Sequence, residues 1–391
     1  MTKEQKQKGI SALKSIKRLS LLCLALLLFF GIILNIGDLN IDNLKRTVVR
    51  LGSVFGVDED EIDGEITYTD DAGMRIVRFK DGVAVVTSDK LRVFDSSGLE
   101  FFSSKTVMAN PCVDATDSRI LVFDRDANSM GVYTSFVNLA QIKTEQPIIN
   151  ASMNDQGYIA AATQADGYKS MVTLYNANFD KTYEYYSADG YVLNTDVYGN
   201  GKQFACSALV VSGGDSFCRV SVFDTSLETP KAVTQINAGF IFDIEYINKS
   251  KLLAIADTGW YLIDTESGSI VNSREYSSAS LLGYSLDGAD GAFIFSSSSN
   301  VSQLKIYDFL ADTEVSVDIQ GKAHSIAANE NKIAVISGGN LWCYDHFGKL
   351  LSSKTVGEKS IIDISGNKVI TAYSGGVSYT KLNGENNEHS T

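Results

Sequence analysis

Histidine supply sets the first limit on the chemistry open to this chain. His324, His346 and His389 are the whole complement among 391 residues, and His389 lies in a polar tail. A Ser-His-Asp triad or a histidine-rich metal cluster needs imidazoles held together, which this supply does not favour. Gly214-Asp215-Ser216 lacks the G-x-S-x-G frame of a nucleophile elbow. The five cysteines, Cys23, Cys112, Cys206, Cys218 and Cys343, form no C-x-x-C pair and read as small buried hydrophobes. Cys206 and Cys218 flank a turn at residues 212–216. With that turn as hinge they fall about four residues out of register, which disfavours a bridge.

Carboxylates are the groups in surplus. Glu59-x-Glu61-x-Asp63-Gly64, with Asp70 twelfth, has the oxygen-ligand spacing of a calcium loop, but its first position should be Asp and its last Glu. It reads as a solvated linker. Asp124-x-Asp126-x-Asn128 reads as an ordinary turn. Four aspartates differ in kind: Asp114 in CVDAT, Asp196 in NTDVY, Asp243 in FDIEY and Asp363 in IIDIS. Each falls in a segment expected to line a central channel, where recurrent carboxylates would draw in cations or basic peptide groups. Each would equally serve as a cap for backbone N–H groups. Tyr183, Tyr185, Tyr186, Tyr191 and Tyr198 suggest either an aromatic contact surface or packing on strand faces.

What must position these residues is a repeat. From Gly64 onward Gly, Ser, Asp and Asn punctuate short runs of Val, Ile, Tyr and Phe, a strand-and-turn composition. A strand ending in Asp or a near equivalent recurs eight times, as in Leu91-Arg-Val-Phe-Asp95, Val220-Ser-Val-Phe-Asp224, Trp260-Tyr-Leu-Ile-Asp264, Leu304-Lys-Ile-Tyr-Asp308 and Leu341-Trp-Cys-Tyr-Asp345. A more apolar strand introduced by a polar turn precedes each copy, as with Asn329-Glu-Asn before KIAVIS. A unit of about 40 residues with four short antiparallel strands is a propeller blade, because such a sheet covers both faces only when blades pack around an axis. The reading is all-β, an eight-bladed β-propeller over residues 65–383, with seven blades as the alternative. The last copy runs out of chain after its third strand, and EITYT at residues 65–69 is expected to supply the fourth as a clasp.

Ahead of the propeller, residues 1–18 carry six basic residues against Glu4 alone, a net of +5, while the remainder holds 28 basic and 46 acidic residues, a net of −18. Residues 19–36 (LSLLCLALLLFFGIILNI) contain no charge and at about 1.5 Å per residue span a bilayer core as one transmembrane helix. No small-x-small cleavage site follows, so the segment reads as a retained signal anchor with the N-terminus cytoplasmic and the propeller extracytoplasmic. Ser20-Leu21-Leu22 before Cys23 lacks the small residue of a lipobox. Ile41, Leu44, Val48, Leu51 and Phe55 mark a short amphipathic stalk helix over 38–56, followed by an acidic linker at 57–64; residues 384–391 form a polar tail. An acidic surface repels phosphate backbones, so nucleic acid is excluded as a partner.

The V-x-[VIL]-[YF]-D repeat resembles that of WD40-like and pyrroloquinoline-quinone-dehydrogenase-like propellers. With the anchor, over residues 15–383, it resembles more closely an uncharacterised family of signal-anchored bacterial proteins known only as a domain of unknown function. The Gly-His and Trp-Asp pairs of WD40 blades are absent, and Trp260 and Trp342 fall short of one docking tryptophan per blade. The resemblance therefore brings over no cofactor and no catalytic residue. The expected function is a membrane-tethered, non-catalytic binding or scaffold module of the cell envelope, with an envelope protein, peptide or glycan as partner. The alternative is an extracytoplasmic carboxylate-based lyase, glycosidase or hydrolase.

Overall fold

The computed structural model describes residues 45–46, 66–67, 73–276, 280–298, 300–357, 359–373 and 375–382. The expected transmembrane span, the acidic linker and the C-terminal tail lie outside the described residues; of the stalk only Lys45 and Arg46 are described, in helical backbone.

All the described strands belong to one unit, Glu61–Thr391, and form eight four-stranded antiparallel sheets, so the ring has eight blades. The innermost strands, blades 1 to 8, are Arg75–Phe79, Pro111–Ala115, Ile148–Met153, Gly190–Tyr198, Ile241–Asn248, Leu281–Asp287, Ala323–Asn329 and Ser360–Ser365. Seven blades run outward in chain order. The eighth takes its outer strand from Ile66–Thr67, with Ile66 opposite Val377 and Thr67 opposite Gly376, so the clasp forms as the sequence predicts.

The Asp that closes five of the eight third strands has a local task. Asp95 Oδ1 accepts N–H bonds from Ser97 (2.8 Å) and Leu99 (3.0 Å), and Asp345 Oδ1 accepts those of Phe347 (3.0 Å) and Lys349 (2.9 Å). These side chains supply acceptors to the turn leading to the outer strand. Gly98 and Gly348 close two of these turns at φ +83° and +78°, a conformation that side-chain-bearing residues resist.

The second strand of each blade is the core element. In Gly82–Val86 every residue is buried. Alternation sends Val83 and Val85 to a cluster with Ile66, Ile370 and Val377 of blade 8, while Ala84 and Val86 meet Ile120 and Val122 of blade 2. Repeated around the ring, this closes the apolar layers and leaves the innermost strands around an axial channel.

Candidate functional site in the axial channel

All four aspartates singled out from the sequence lie on innermost strands and line the channel. A cavity of about 920 Å³ opens among Asp114, Asp196, Asp243 and their neighbours, and a second of about 670 Å³ among Asp114, Asp287 and Asp363. The carboxylates also join the blades. Asp114 Oδ2 accepts the N–H of Met153 (2.8 Å) from blade 3, and Asp196 accepts those of Val197 (2.7 Å) and of Tyr246 in blade 5 (2.7 Å).

The strand register separates what the sequence makes look equivalent. Asp114, Asp196 and Asp363 pair opposite Leu121, Ala205 and Ile370, each the second apolar residue of its blade's second strand. In blade 5 the residue on that rung, opposite Leu253, is Glu245; Asp243 lies two residues nearer the mouth where the inner strands begin. Glu245 is the residue that sequence reasoning misses. Its place two positions after Asp243 in FDIEY, on the same strand face, was the available signal.

Three of the four aspartates form an arc with Glu245. Burial, reinforced by the charges of Asp243, Asp196, Asp114 and Asp287, pushes Glu245 up to about 8. Burial likewise pushes Asp196 up to about 7, against its two N–H bonds and with Asp243 and Asp114 adding repulsion, and Asp243 up to about 6. Asp114 is raised by burial in spite of the Met153 and Ala115 N–H groups. Among the described residues none of these four carboxylates has a cation within salt-bridge distance, and Glu245 has no hydrogen bond either. Asp363 stands apart: its Oδ2 lies 2.7 Å from Arg78 Nε of blade 1, which partly offsets the upward push of burial.

The tyrosines divide. Tyr183 and Tyr185 pack on Phe204 and Phe223, and Tyr198 on Tyr246, while Tyr186 and Tyr191 are exposed. Cys206 and Cys218 are both free, paired in register with Ser221 and Leu209. Asp124 accepts the N–H groups of Ala109 (3.1 Å) and Asn110 (2.7 Å), in the loop before its blade's inner strand and not within the turn that follows it.

A closed, antiparallel, eight-bladed propeller with an acid-lined axial channel is therefore the class of protein that the fold and site define. The chain belongs to DUF5711, a family of unknown function, whose pattern it matches over residues 56–382. No curated protein matches it. Among solved structures it is similar to the computationally designed protein Ika8 (TM-score 0.60, 13% identity, 82% of this chain and 100% of that one covered). It is also similar to the C-terminal WD40 domain of Sif2 (0.55, 16%, 82% and 99%) and to the β-propeller domain of Cps50 (Swd1) from Myceliophteria thermophila (0.50, 11%, 70% and 96%). Identities this low speak to the fold alone.

Proposed function

We propose that this chain is a membrane-tethered, extracytoplasmic propeller of the cell envelope that binds rather than catalyses, and that the acidic arc of its channel receives a cationic group from a protein, peptide or glycan partner. The observation that carries this reading is the arc itself: Asp114, Asp196, Asp243 and Glu245 face a roomy channel without a cation of their own, and burial holds them above the usual carboxylate range. An entering ammonium or guanidinium would favour their charged forms and receive charge-assisted hydrogen bonds in return. The uncharged segment at 19–36 and the basic residues before it support the tether and its orientation.

Crosslinking and mass spectrometry in cells test the binding reading, comparing wild type with an Asp114→Asn, Asp196→Asn, Asp243→Asn, Asp363→Asn variant of verified fold. A defined partner captured by wild type and lost in the variant supports it; no partner with either form argues against it. For the topology, an impermeant maleimide applied to intact cells is expected to label Asn386→Cys and spare Thr2→Cys, and the reverse pattern would overturn the orientation. One observation favours a second reading as carboxylate-based lyase, glycosidase or hydrolase: Glu245 keeps its proton near neutrality, the state a general acid needs. Turnover of an envelope glycan abolished by Glu245→Gln would favour that reading.

A further inference from the structure

The larger cavity holds two uncompensated charges of opposite sign. Besides the acidic arc it is lined by Arg75, which opens the inner strand of blade 1, and by Arg125, in the turn after Asp124 of blade 2. Asp124 pairs opposite Pro111, the first residue of its blade's inner strand, so both arginines lie at the mouth where the inner strands begin. Neither guanidinium has a carboxylate partner among the described residues; Arg75 Nη1 reaches only the carbonyls of Gly73 (3.3 Å) and Met74 (3.1 Å).

Four other described arginines are paired, Arg78 with Asp363, Arg92 with Glu100, Arg219 with Asp189 and Arg274 with Asp312, while Arg119 donates to the Ala177 carbonyl (3.2 Å). Facing the same channel, Arg78 shows that a direct neutralising pair is accessible to this architecture. Arg75 pairs opposite Val86, two residues before Val77 on the rung that Asp114, Asp196 and Glu245 share, an axial offset of about 7 Å. Cations at the mouth, level with Asp243, and the carboxylates of Asp114, Asp196 and Glu245 below, each without an ionic partner among the described residues, leave a gap that a ligand carrying both charges would bridge.

We infer that the axial cavity binds a zwitterionic ligand of the ω-amino acid or basic amino-acid class, its ammonium or guanidinium among Asp114, Asp196 and Glu245 and its carboxylate held by Arg75 and Arg125. This rests on the cation-binding reading above and adds the anionic half. Two charge-assisted contacts from the arginines strengthen binding about tenfold or more over a ligand with the cation alone.

The test is calorimetric titration of the full-length chain in nanodiscs with 6-aminohexanoate, pentylamine (the same molecule without its carboxylate) and hexanoate. Wild type is expected to bind 6-aminohexanoate at least about tenfold more tightly than pentylamine. Arg75→Gln with Arg125→Gln, at exposed positions, should erase that difference, and Glu245→Gln should weaken both ammonium compounds. Equal binding of 6-aminohexanoate and pentylamine by wild type would overturn the zwitterion while leaving the cation site standing. No binding of either ammonium compound would overturn both.

Discussion

Replacing Glu245 by Gln should stabilise the protein in alkali and hardly at all in acid. Glutamine keeps the shape of the protonated side chain and removes the charge. A carboxyl whose ordinary pKa of 4.5 is pushed to about 8 costs the folded state about 1.4 kcal/mol for each pH unit between those values. The sign follows from proton counting. The folded state holds the proton over a range in which the unfolded state has lost it, so stability falls as pH rises from about 4.5 to about 8 and is flat outside that window. The difference between variant and wild type should therefore grow from under about 1 kcal/mol at pH 5 to about 5 kcal/mol at pH 9 if Glu245 ionises alone. It reaches about half of that if Asp196 and Asp243 share the strain. In urea unfolding followed by the fluorescence of buried Trp260, this is a midpoint gap of about 1 M at pH 9 that closes at pH 5. A gap of the same size at both pH values, or a variant less stable than wild type at pH 9, would refute the claim that burial holds the proton on Glu245.

Three further outcomes follow from the packing. Ile66→Ala, at the buried clasp, should cost about 2 to 4 kcal/mol, read as a lowered melting temperature; a neutral result would show that the ring closes without this strand. Arg78→Met leaves the half-buried Asp363 without its cation. It should destabilise by about 1 to 3 kcal/mol at pH 8 and by less at pH 4, where the carboxyl takes up a proton, and pH-resolved melting curves check the difference. Burial pushes the Cys206 thiol up to about 12, so iodoacetamide at pH 8 should spare Cys206 in the native protein and modify it in urea; rapid native labelling would contradict the packing of blade 4.

Blade number and closure were legible because both depend on local chemistry that repeats. The Asp or near equivalent after the third strand accepts turn hydrogen bonds, as at Asp95, Asn176 and Asp345, and so marks the period. EITYT was recognisable because the last repeat lacked one strand. The candidate site was legible only in part. Asp243 in FDIEY looks like the counterpart of Asp196 in NTDVY, but the pairing register, set by the hairpin that follows, gives that rung to Glu245. The Arg78–Asp363 pair joins the two ends of the propeller sequence, and no local pattern announces it. The opposition of Arg75 and Arg125 to the acidic arc likewise exists only once the ring is closed.

The clasp also sets an order of events. Ile66 is made before the other described strands of the propeller and its partner strand, Gly376–Lys381, after them, so the ring cannot shut until the whole propeller has been made. Until it does, the Gly376–Lys381 edge is unpaired and Ile370 and Val377 lack the cover of Ile66, an exposed template for pairing with another chain. Long-range closure of this kind is slow relative to the local hairpins within each blade. The hazard in producing this protein is thus concentrated in the interval between synthesis of Gly376–Lys381 and the docking of Ile66 and Thr67 on it. A binder or chaperone that covers the blade 8 edge in that interval would protect it from pairing with another chain.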